Sequence, residues 1–293
     1  MPSLKALRNR IRTVVNTQQI TKAMKAVSVS KLRRVQASME STRRYADALA
    51  RITGHLLQGT PDIEHPFRRV AETPDRVIVV LMTADRGMCG AYNNHAITKA
   101  DKLIEELGRS RVDLVCVGKK GRDFFRKTNV NIVASHIDLG GSVNAPLLAK
   151  VTDDVVERFT SGQADKVMLV YNSFVNMMRY TPTVTEFLPL EPSELLRDDA
   201  EEKHEGSGDM IFEPDVETVF GVTLERYLRI RMVTCQADAL TAEHSARMIA
   251  MSNATDNCEE LNQTLTIQMN KARQAMITKE LLEIVSGAEA LKG

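Results

Sequence analysis

Residues 4–57 read LKALRNRIRTVVNTQQITKAMKAVSVSKLRRVQASMESTRRYADALARITGHLL, a stretch with no proline and no glycine before Gly54. Proline and glycine are the residues that most disfavour an α-helix, so this stretch predicts one continuous helix. Gly59, Pro61 and Pro66 then end it. At about 1.5 Å per residue the helix would be roughly 80 Å long, whereas a compact chain of this size has a radius of gyration of about 19 Å. This helix therefore cannot lie inside a globule.

Seam residues recur at seven-residue spacing along the predicted helix, the pattern of a coiled coil. Between Gln18 and Ser28 the seam positions are polar, while Ile20, Met24 and Val27 place apolar side chains on a different face. We therefore expect a second partner for this middle segment. The two seam series are Leu4, Ile11, Gln18, Lys25, Leu32, Met39, Ala46 and Thr53, and Leu7, Val14, Thr21, Ser28, Val35, Thr42, Leu49 and Leu56.

Between residues 75 and 190, short apolar runs alternate with amphipathic stretches. This alternation predicts an α/β layer with a largely parallel sheet. The Thr- and Val-rich residues 180–187 predict a strand at the edge of that sheet. The other predicted strands are 77–82, 112–117, 130–134 and 167–171, and the predicted helices are 91–107, 122–127 and 146–159.

A second long helix is predicted after an acidic segment that ends in Gly206-Ser207-Gly208, because proline is absent from residues 215–288. If the two long helices did not pair, each would expose an apolar stripe to water. We therefore predict that they pair antiparallel. The second helix is the longer one, and its end, residues 281–285 (LLEIV), is apolar on several faces. That end predicts a partner that surrounds it. The expected stripe comprises Met248, Met251, Thr255, Cys258, Leu261 and Leu265, then Ile277, Leu281, Ile284, Ala288 and Leu291.

The predicted protein is thus of the α/β class, with an antiparallel coiled coil of long N- and C-terminal helices and a central Rossmann-like α/β domain. The predicted boundaries are an N-terminal helix over 1–58, an α/β domain over 75–190, an acidic linker over 191–214 and a C-terminal helix over 215–293.

Composition narrows the classes of function. Hydrophobic residues make up 43% and charged residues 26% of the 293 residues, which is ordinary globular usage rather than that of a disordered chain. No apolar run approaches the roughly 18 residues of a membrane span, and the first residues lack the apolar core of a signal peptide. The four cysteines and six histidines show no CxxC or HExxH spacing, so we expect a reducing compartment, no metal site and no cofactor.

Two local features leave other functions open. The loop 83–90 (TADRGMCG) follows a predicted strand and precedes a predicted helix, where a nucleotide-binding fold holds a phosphate, although tight-turn glycines explain it as well. Within it, Cys89 has no histidine nearby in sequence to activate it.

The first helix is strongly basic, which suits nucleic-acid phosphates or acidic loops of a protein partner. No aromatic residue precedes Tyr45, so the interleaved aromatic residues of a nucleic-acid binder are missing. Paired carboxylates such as Glu105-Glu106 are interpreted as solvated helix faces.

Four segments carry a family resemblance. They are residues 11–24 (IRTVVNTQQITKAM), 85–90 (DRGMCG), 270–275 (NKARQA) and 277–288 (ITKELLEIVSGA). Together they resemble the gamma-subunit family of the F-type ATP synthase, and the resemblance extends over essentially the whole chain. The sequence departs from the chloroplast form in lacking a cysteine-bearing insert, so thiol switching is not expected. It also departs from the common pattern at Val27-Ser28-Val29-Ser30.

The resemblance implies a non-catalytic rotor, a shaft that turns inside a ring of three alpha and three beta subunits and stands on a proton-driven membrane ring. It implies as partners the alpha, beta and epsilon subunits and the membrane c-ring, with no nucleic acid and no cofactor. It further implies a peripheral location on the cytoplasmic face of a bacterial inner membrane, since no transit peptide is evident. The residues implied as contacts between rotor and stator are Met24, Lys25, Arg247, Arg273, Gln274, Thr278 and Glu280.

Overall fold

The structure, a computed structural model, describes residues 3–59, 65–71, 74–190, 213 and 215–290, with 40–41, 57–59, 216 and 289–290 described by their backbone alone. The helices are α1 (Leu4–Gly59), α2 (Tyr92–Leu107), α3 (Lys119–Phe125), α4 (Ala145–Thr160) and α5 (Val216–Ala290). The strands are β1 (Val77–Met82), β2 (Val112–Val117), β3 (Asn131–His136), β4 (Lys166–Asn176) and β5 (Arg179–Leu188). Short 3₁₀ helices occupy Pro66–Arg68 and Arg109–Arg111.

The chain forms two compact units. One, called here the helical unit, comprises Met1–Ser28 and Arg247–Gly293, and the other, the sheet unit, comprises Val29–Ala246. The predicted α/β class and the two long terminal helices are confirmed. The predicted acidic linker 191–214 lies, Glu213 apart, outside the described residues, and so does Leu291.

The sheet unit is built on a five-stranded sheet of order β3-β2-β1-β4-β5. The first four strands are parallel, and β5 pairs antiparallel with β4 at the edge, as its composition predicts. One face of the sheet packs on α2 and α3, and the other packs on α4 with parts of α1 and α5. This is the three-layer order in which a Rossmann-like fold places its crevice at the carboxyl ends of β1 and β4.

Strand β1 is central because it is apolar on both faces. All six of its side chains are at most 2% exposed. Each such burial contributes about 1.5–3 kcal/mol before the cost of ordering the chain. An uninterrupted apolar run of this length suits a strand covered on both sides, which is why the sequence pattern identifies it directly.

Two bounds of elements in the sheet unit differ from the predicted ones by three or more residues. Helix α3 begins at Lys119 rather than at residue 122, because Gly118, with φ of 112°, ends β2 abruptly and Gly121 packs within the first turn of the helix. Strand β4 extends to Asn176 rather than 171, because β5 pairs with it along almost its whole length. Pairing across a sheet is a long-range effect that local composition does not encode.

In the helical unit α1 and α5 run antiparallel. The hydroxyl of Thr21 lies 2.8 Å from that of Thr255, and Lys25 Nζ donates to Ser252 Oγ at 3.0 Å. Residues further along α1 therefore contact earlier residues of α5. An apolar cluster holds the other end of this helix pair. Its members are Leu7, Val14 and Leu265, with Ile11, Cys258, Met269 and Ala272 against them.

The predicted seam of α1 is buried at most of its described positions, and these include the polar Thr21 and Ser28, whereas Lys25 is exposed. Thr21 and Ser28 are 7% and 2% exposed, whereas Ile20 and Val27 are 60% and 56% exposed. Thr21 and Ser28 therefore lie in the seam, and Ile20 and Val27 lie outside it. On α5 the predicted stripe includes Cys258, Leu261 and Leu265. Cys258 and Leu265 pack in the seam, whereas Leu261 is 40% exposed and lies outside it.

Candidate functional site

The loop after β1, in which a Rossmann-like fold would hold a phosphate, is tied to the neighbouring loops by Asp85. Its Oδ1 accepts the backbone N–H of Lys119 at 3.0 Å, and its Oδ2 accepts that of Leu139 at 2.7 Å. Thr83 Oγ1 accepts the N–H of Gly121 at 2.9 Å. These backbone N–H groups follow β2 and β3, so the loops after three parallel strands are joined at this edge.

This geometry disfavours the nucleotide alternative. The carboxylate of Asp85 occupies donors of the kind that would bind a phosphate, and its negative charge would repel one. The sequence shows an aspartate at position 85, but the residues that it bonds belong to two loops distant in sequence. The structural role of this loop therefore could not be predicted from its own sequence.

The thiols offer little chemistry either. Cys89 is 1% exposed and accepts from Asn93 Nδ2 at 3.2 Å. Burial raises the pKa of Cys116 to about 12 and that of Cys235 to about 11, so both are neutral thiols at physiological pH. Among the described residues no three His, Cys, Asp or Glu side chains are grouped as metal ligands. No described helix has the length and apolarity needed to span a bilayer.

The first set of predicted contact residues lies in the helical unit near its polar seam. Met24 is half-buried, and Lys25 is exposed while its Nζ is bonded to Ser252. Arg247 is only 8% exposed and thus presents little surface. Their role as contacts stays a prediction, and the exposed large apolar side chains nearest to Met24 and Lys25 in sequence are Ile20 and Val27.

The second set lies at the end of α5, in residues 273–288, here called the end segment. Every described side chain of this segment is exposed. Its six large apolar side chains are 46–68% exposed, and its internal contacts include the Thr278 hydroxyl donating to Gln274 O at 3.0 Å. These apolar residues are Met276, Ile277, Leu281, Leu282, Ile284 and Val285.

The four predicted contact residues of the end segment fall on two sides of the helix. At about 100° per residue, Arg273 and Glu280 lie within about 20° of each other, and Gln274 and Thr278 within about 40°. The two pairs are separated by roughly 130° around the helix. The end segment therefore presents a charged side and a neutral polar side, with apolar side chains between and beyond them.

Positive charge marks the other helix of the same unit. Residues 1–28 contain six Lys and Arg residues and no Asp or Glu. Lys5, Arg8, Arg10 and Arg12 are all exposed. This surface suits a partner with acidic side chains, and its electrostatic attraction would weaken with salt.

Sequence reasoning missed the polar groups that join the sheet edge to the long helices. In the sheet unit, Lys31 and His244 bond to the carbonyls of Gly140 and Gly141, and Asp238 accepts the N–H of Phe174. Lys31 is one of many cations in α1, and His244 is isolated in sequence, so no local signal distinguishes either of them.

Comparison with known proteins places this chain among ATP synthase components. The family model described as ATP synthase matches residues 3–291. The chain is 40% identical to the ATP synthase gamma chain of Pelotomaculum thermopropionicum over 292 residues, with 100% of both chains covered. It is 40% identical to that of Symbiobacterium thermophilum over 291 residues, covering 99% of this chain and 98% of the relative.

Solved structures agree in fold. A chain of the Tetrahymena thermophila mitochondrial ATP synthase, from a structure of its central stalk and c-ring, matches with a TM-score of 0.60 and 26% identity, over 80% of this chain and 99% of that one. A chain of the Euglena gracilis mitochondrial ATP synthase, in an OSCP, F1 and c-ring assembly, matches with a TM-score of 0.67 and 19% identity, over 98% and 94%. Because it is 40% identical to these bacterial proteins over essentially their full length, the chain belongs to the ATP synthase gamma chain family.

Proposed function

We propose that this chain is the central-stalk rotor subunit of a proton-transporting ATP synthase. It couples proton flow through a membrane ring to ATP synthesis, or to hydrolysis in the reverse direction, at sites on other subunits. The chain is not an enzyme on its own. Membership of the gamma chain family supports this role, and the relatives of known structure come from central-stalk and c-ring assemblies.

The observation that carries the proposal is the apolar end segment of α5. Six large apolar side chains there are 46–68% exposed, which is costly in water unless a partner covers them. They lie on several sides of the helix, so a single flat surface would leave some of them uncovered. A ring of alpha and beta subunits that surrounds the helix supplies the enclosure that this pattern requires.

A shaft without catalytic groups acts through asymmetry. A partner shifts a conformational equilibrium only by its different affinity for the two states, so three equivalent sites respond differently only if the shaft presents different contacts to each. The charged side formed by Arg273 and Glu280, and the neutral side formed by Gln274 and Thr278, provide such a difference. As the helix turns, each site would meet the two sides in succession.

Energy has to be collected from several protons. One elementary charge that crosses 100 mV releases about 2.3 kcal/mol, which is far less than the synthesis of one ATP requires. The shaft must therefore transmit the work of several protons before a product is released. The paired helices of the helical unit, with a buried seam and no proline in α1 or α5, are suited to that task.

The partners of the rotor follow from the same proposal. The alpha and beta subunits would surround the end segment and the exposed residues near Met24, Lys25 and Arg247. The epsilon subunit and the c-ring would bind the sheet unit. The bacterial relatives support a peripheral position on the cytoplasmic face of the inner membrane.

Reconstitution tests the proposed function. Purified alpha and beta subunits are assembled with and without this chain, and ATP hydrolysis and rotation of a probe attached to the chain are measured. We expect one copy of the chain for each ring and rotation that depends on ATP. A chain that remains separate from the ring, or binds without turning, would contradict the proposal.

A matched pair of variants tests the end segment. Leu281→Ser with Ile284→Ser reduces its apolar surface, and Val70→Ser with Val222→Ser reduces a similar kind of exposed apolar surface in the sheet unit. Because all four side chains are exposed, each pair should change folding stability by less than about 1 kcal/mol. Only the first pair should lower the ATP made per proton. Equal coupling in both pairs would count against an enclosed end segment.

A further inference from the structure

The loop between β3 and α4 is held by both long helices. Lys31 of α1 donates from Nζ to the carbonyl of Gly140 at 2.7 Å, and His244 of α5 donates from Nε2 to the carbonyl of Gly141 at 2.8 Å. Both glycines have positive φ, 69° and 68°, which turns two successive carbonyls toward the two helices. A Cβ at Gly141 would lie 3.1 Å from both His244 Cε1 and Lys31 Nζ, so the approach is close.

The hairpin between β4 and β5 is held by α5 at two points. Asp238 Oδ1 accepts the N–H of Phe174 at 3.1 Å, and the Ser245 hydroxyl donates to the carbonyl of Met177. Ser245 is 2% exposed, so water does not compete for this bond. The helix is thereby bonded to the hairpin near the end of β4 and at the turn that follows it.

The first turn of α2 is bonded to the same stretch of α5. Tyr92, 1% exposed, donates from its hydroxyl to the carbonyl of Ala239 at 2.8 Å. Its own carbonyl accepts from Asn172 Nδ2 at 2.8 Å, which joins it to β4. The elements that follow β1, β3 and β4 are therefore all bonded to one short stretch of α5. We call Lys31, Tyr92, Asp238, His244 and Ser245 the anchor residues.

The anchor bonds leave α5 in different directions. Asp238 and Ser245 are seven residues apart and lie within about 20° of each other around the helix, whereas His244 is about 120° from Asp238. The hydrophobic effect is not directional, and packed apolar side chains resist turning of a helix through the steric clashes that a rotation creates. Hydrogen bonds are directional, and bonds on two sides of a helix oppose its rotation about its own axis.

We propose that the anchor residues transmit torque between the sheet and the two long helices, so that they are positioning residues of the rotor. This inference rests on the proposed function. The mechanical load acts tangentially, and directional bonds at this edge add to the resistance that apolar packing provides. The crevice at which other Rossmann-like proteins bind a ligand is used here to attach a shaft.

The test removes two anchor bonds with almost no change of shape. Tyr92→Phe with Ser245→Ala deletes two buried hydroxyls that bridge separate elements. The matched control is Thr241→Val, which deletes a hydroxyl of the same helix, 1% exposed, whose bond to Ala237 O lies within α5. Each variant is assembled into the complete ATP synthase in vesicles. ATP hydrolysis and proton pumping are then measured against an increasing opposing proton gradient.

We expect both variants to assemble and to hydrolyse ATP at the wild-type rate without load. Under load, the protons pumped per ATP should fall in the double variant and stay at the wild-type value in Thr241→Val. A merely structural role would lower assembly or activity at every load and would not produce this dependence. Ser245→Ala should also raise the hydrogen-exchange rate of the hairpin amides by about fivefold, since a hydrogen bond contributes about 1 kcal/mol.

The outcomes separate the two proposals. A wild-type chain that does not support pumping would overturn the proposed function itself. A double variant that keeps the wild-type proton-to-ATP ratio at every load would overturn torque transmission by the anchor residues and leave the proposed function standing. If the double variant does not assemble, Tyr92→Phe and Ser245→Ala are measured singly, and the same two outcomes decide.

Discussion

Replacement of Asp85 by alanine should destabilise the sheet unit strongly, although the side chain is neither apolar nor fully buried. The carboxylate accepts two backbone N–H groups, from Lys119 at 3.0 Å and Leu139 at 2.7 Å. A hydrogen bond to a charged group contributes about 1.5–3 kcal/mol. In the variant, water can bind the exposed N–H of Lys119 and so compensate in part for the lost hydrogen bond. We therefore expect a total loss of about 3 kcal/mol in the free energy of unfolding.

The expected loss corresponds to a measurable change in melting temperature. For a unit of this size, about 1 kcal/mol shifts the midpoint by roughly 2–4 °C, so Asp85→Ala should melt about 6–12 °C below the wild type. Tyrosine fluorescence is a selective probe, because the chain has no Trp and its tyrosines all lie within Val29–Ala246. The helical unit therefore does not contribute to the signal.

Two further variants make the result specific. Asp85→Asn keeps one acceptor oxygen and should lose about half as much stability. Asp123→Ala removes a surface carboxylate whose partner is Arg122 at 2.7 Å, and it should lower the midpoint much less than Asp85→Ala, because ion pairs at the surface contribute little to stability. A midpoint for Asp85→Ala no lower than that of Asp123→Ala would refute the reasoning.

Three further predictions concern other sites. Gly118→Ala should prevent cooperative folding of the sheet unit, because its Cβ would lie 2.0 Å from the carbonyl oxygen of Thr83; a normal melting transition by tyrosine fluorescence would contradict this. Thr21→Val should cost the helical unit about 1 kcal/mol, whereas Thr21→Val with Thr255→Val should be nearly neutral, and circular dichroism of all the variants should show this non-additivity. Burial lowers the pKa of His65, so its neutral form is favoured in the folded state and stability should fall as pH drops below about 6.5; an unchanged slope between neutral pH and about pH 5.5 in His65→Gln would disprove its part.

Local sequence was sufficient where one segment carries the whole signal. The six apolar residues of β1 predict a strand buried on both faces, and this strand is central in the sheet. The absence of proline predicts α1 and α5 almost to their observed ends. Local sequence was insufficient for Leu261, whose place outside the seam depends on how α5 turns against α1.

The candidate site divides in the same way. The exposed apolar end segment could be recognised from its composition and from the greater length of the second helix, which has 75 residues against 56 in α1. Asp85 lies in a loop that could be recognised, but its partners are amides of Lys119 and Leu139, far away in sequence. No sequence pattern distinguishes His244, whose bond to the carbonyl of Gly141 is visible only in the structure.

Composition and periodicity by themselves determined that this chain has two long helices, one α/β layer and an uncovered apolar end. These are consequences of backbone preference and side-chain polarity, which act over a few neighbouring residues. Only the tertiary structure decided that the sheet edge is closed by Asp85 and bonded to α5 rather than open to a ligand. Directional bonds between residues distant in sequence depend on the placement of whole elements, and no local pattern records that placement.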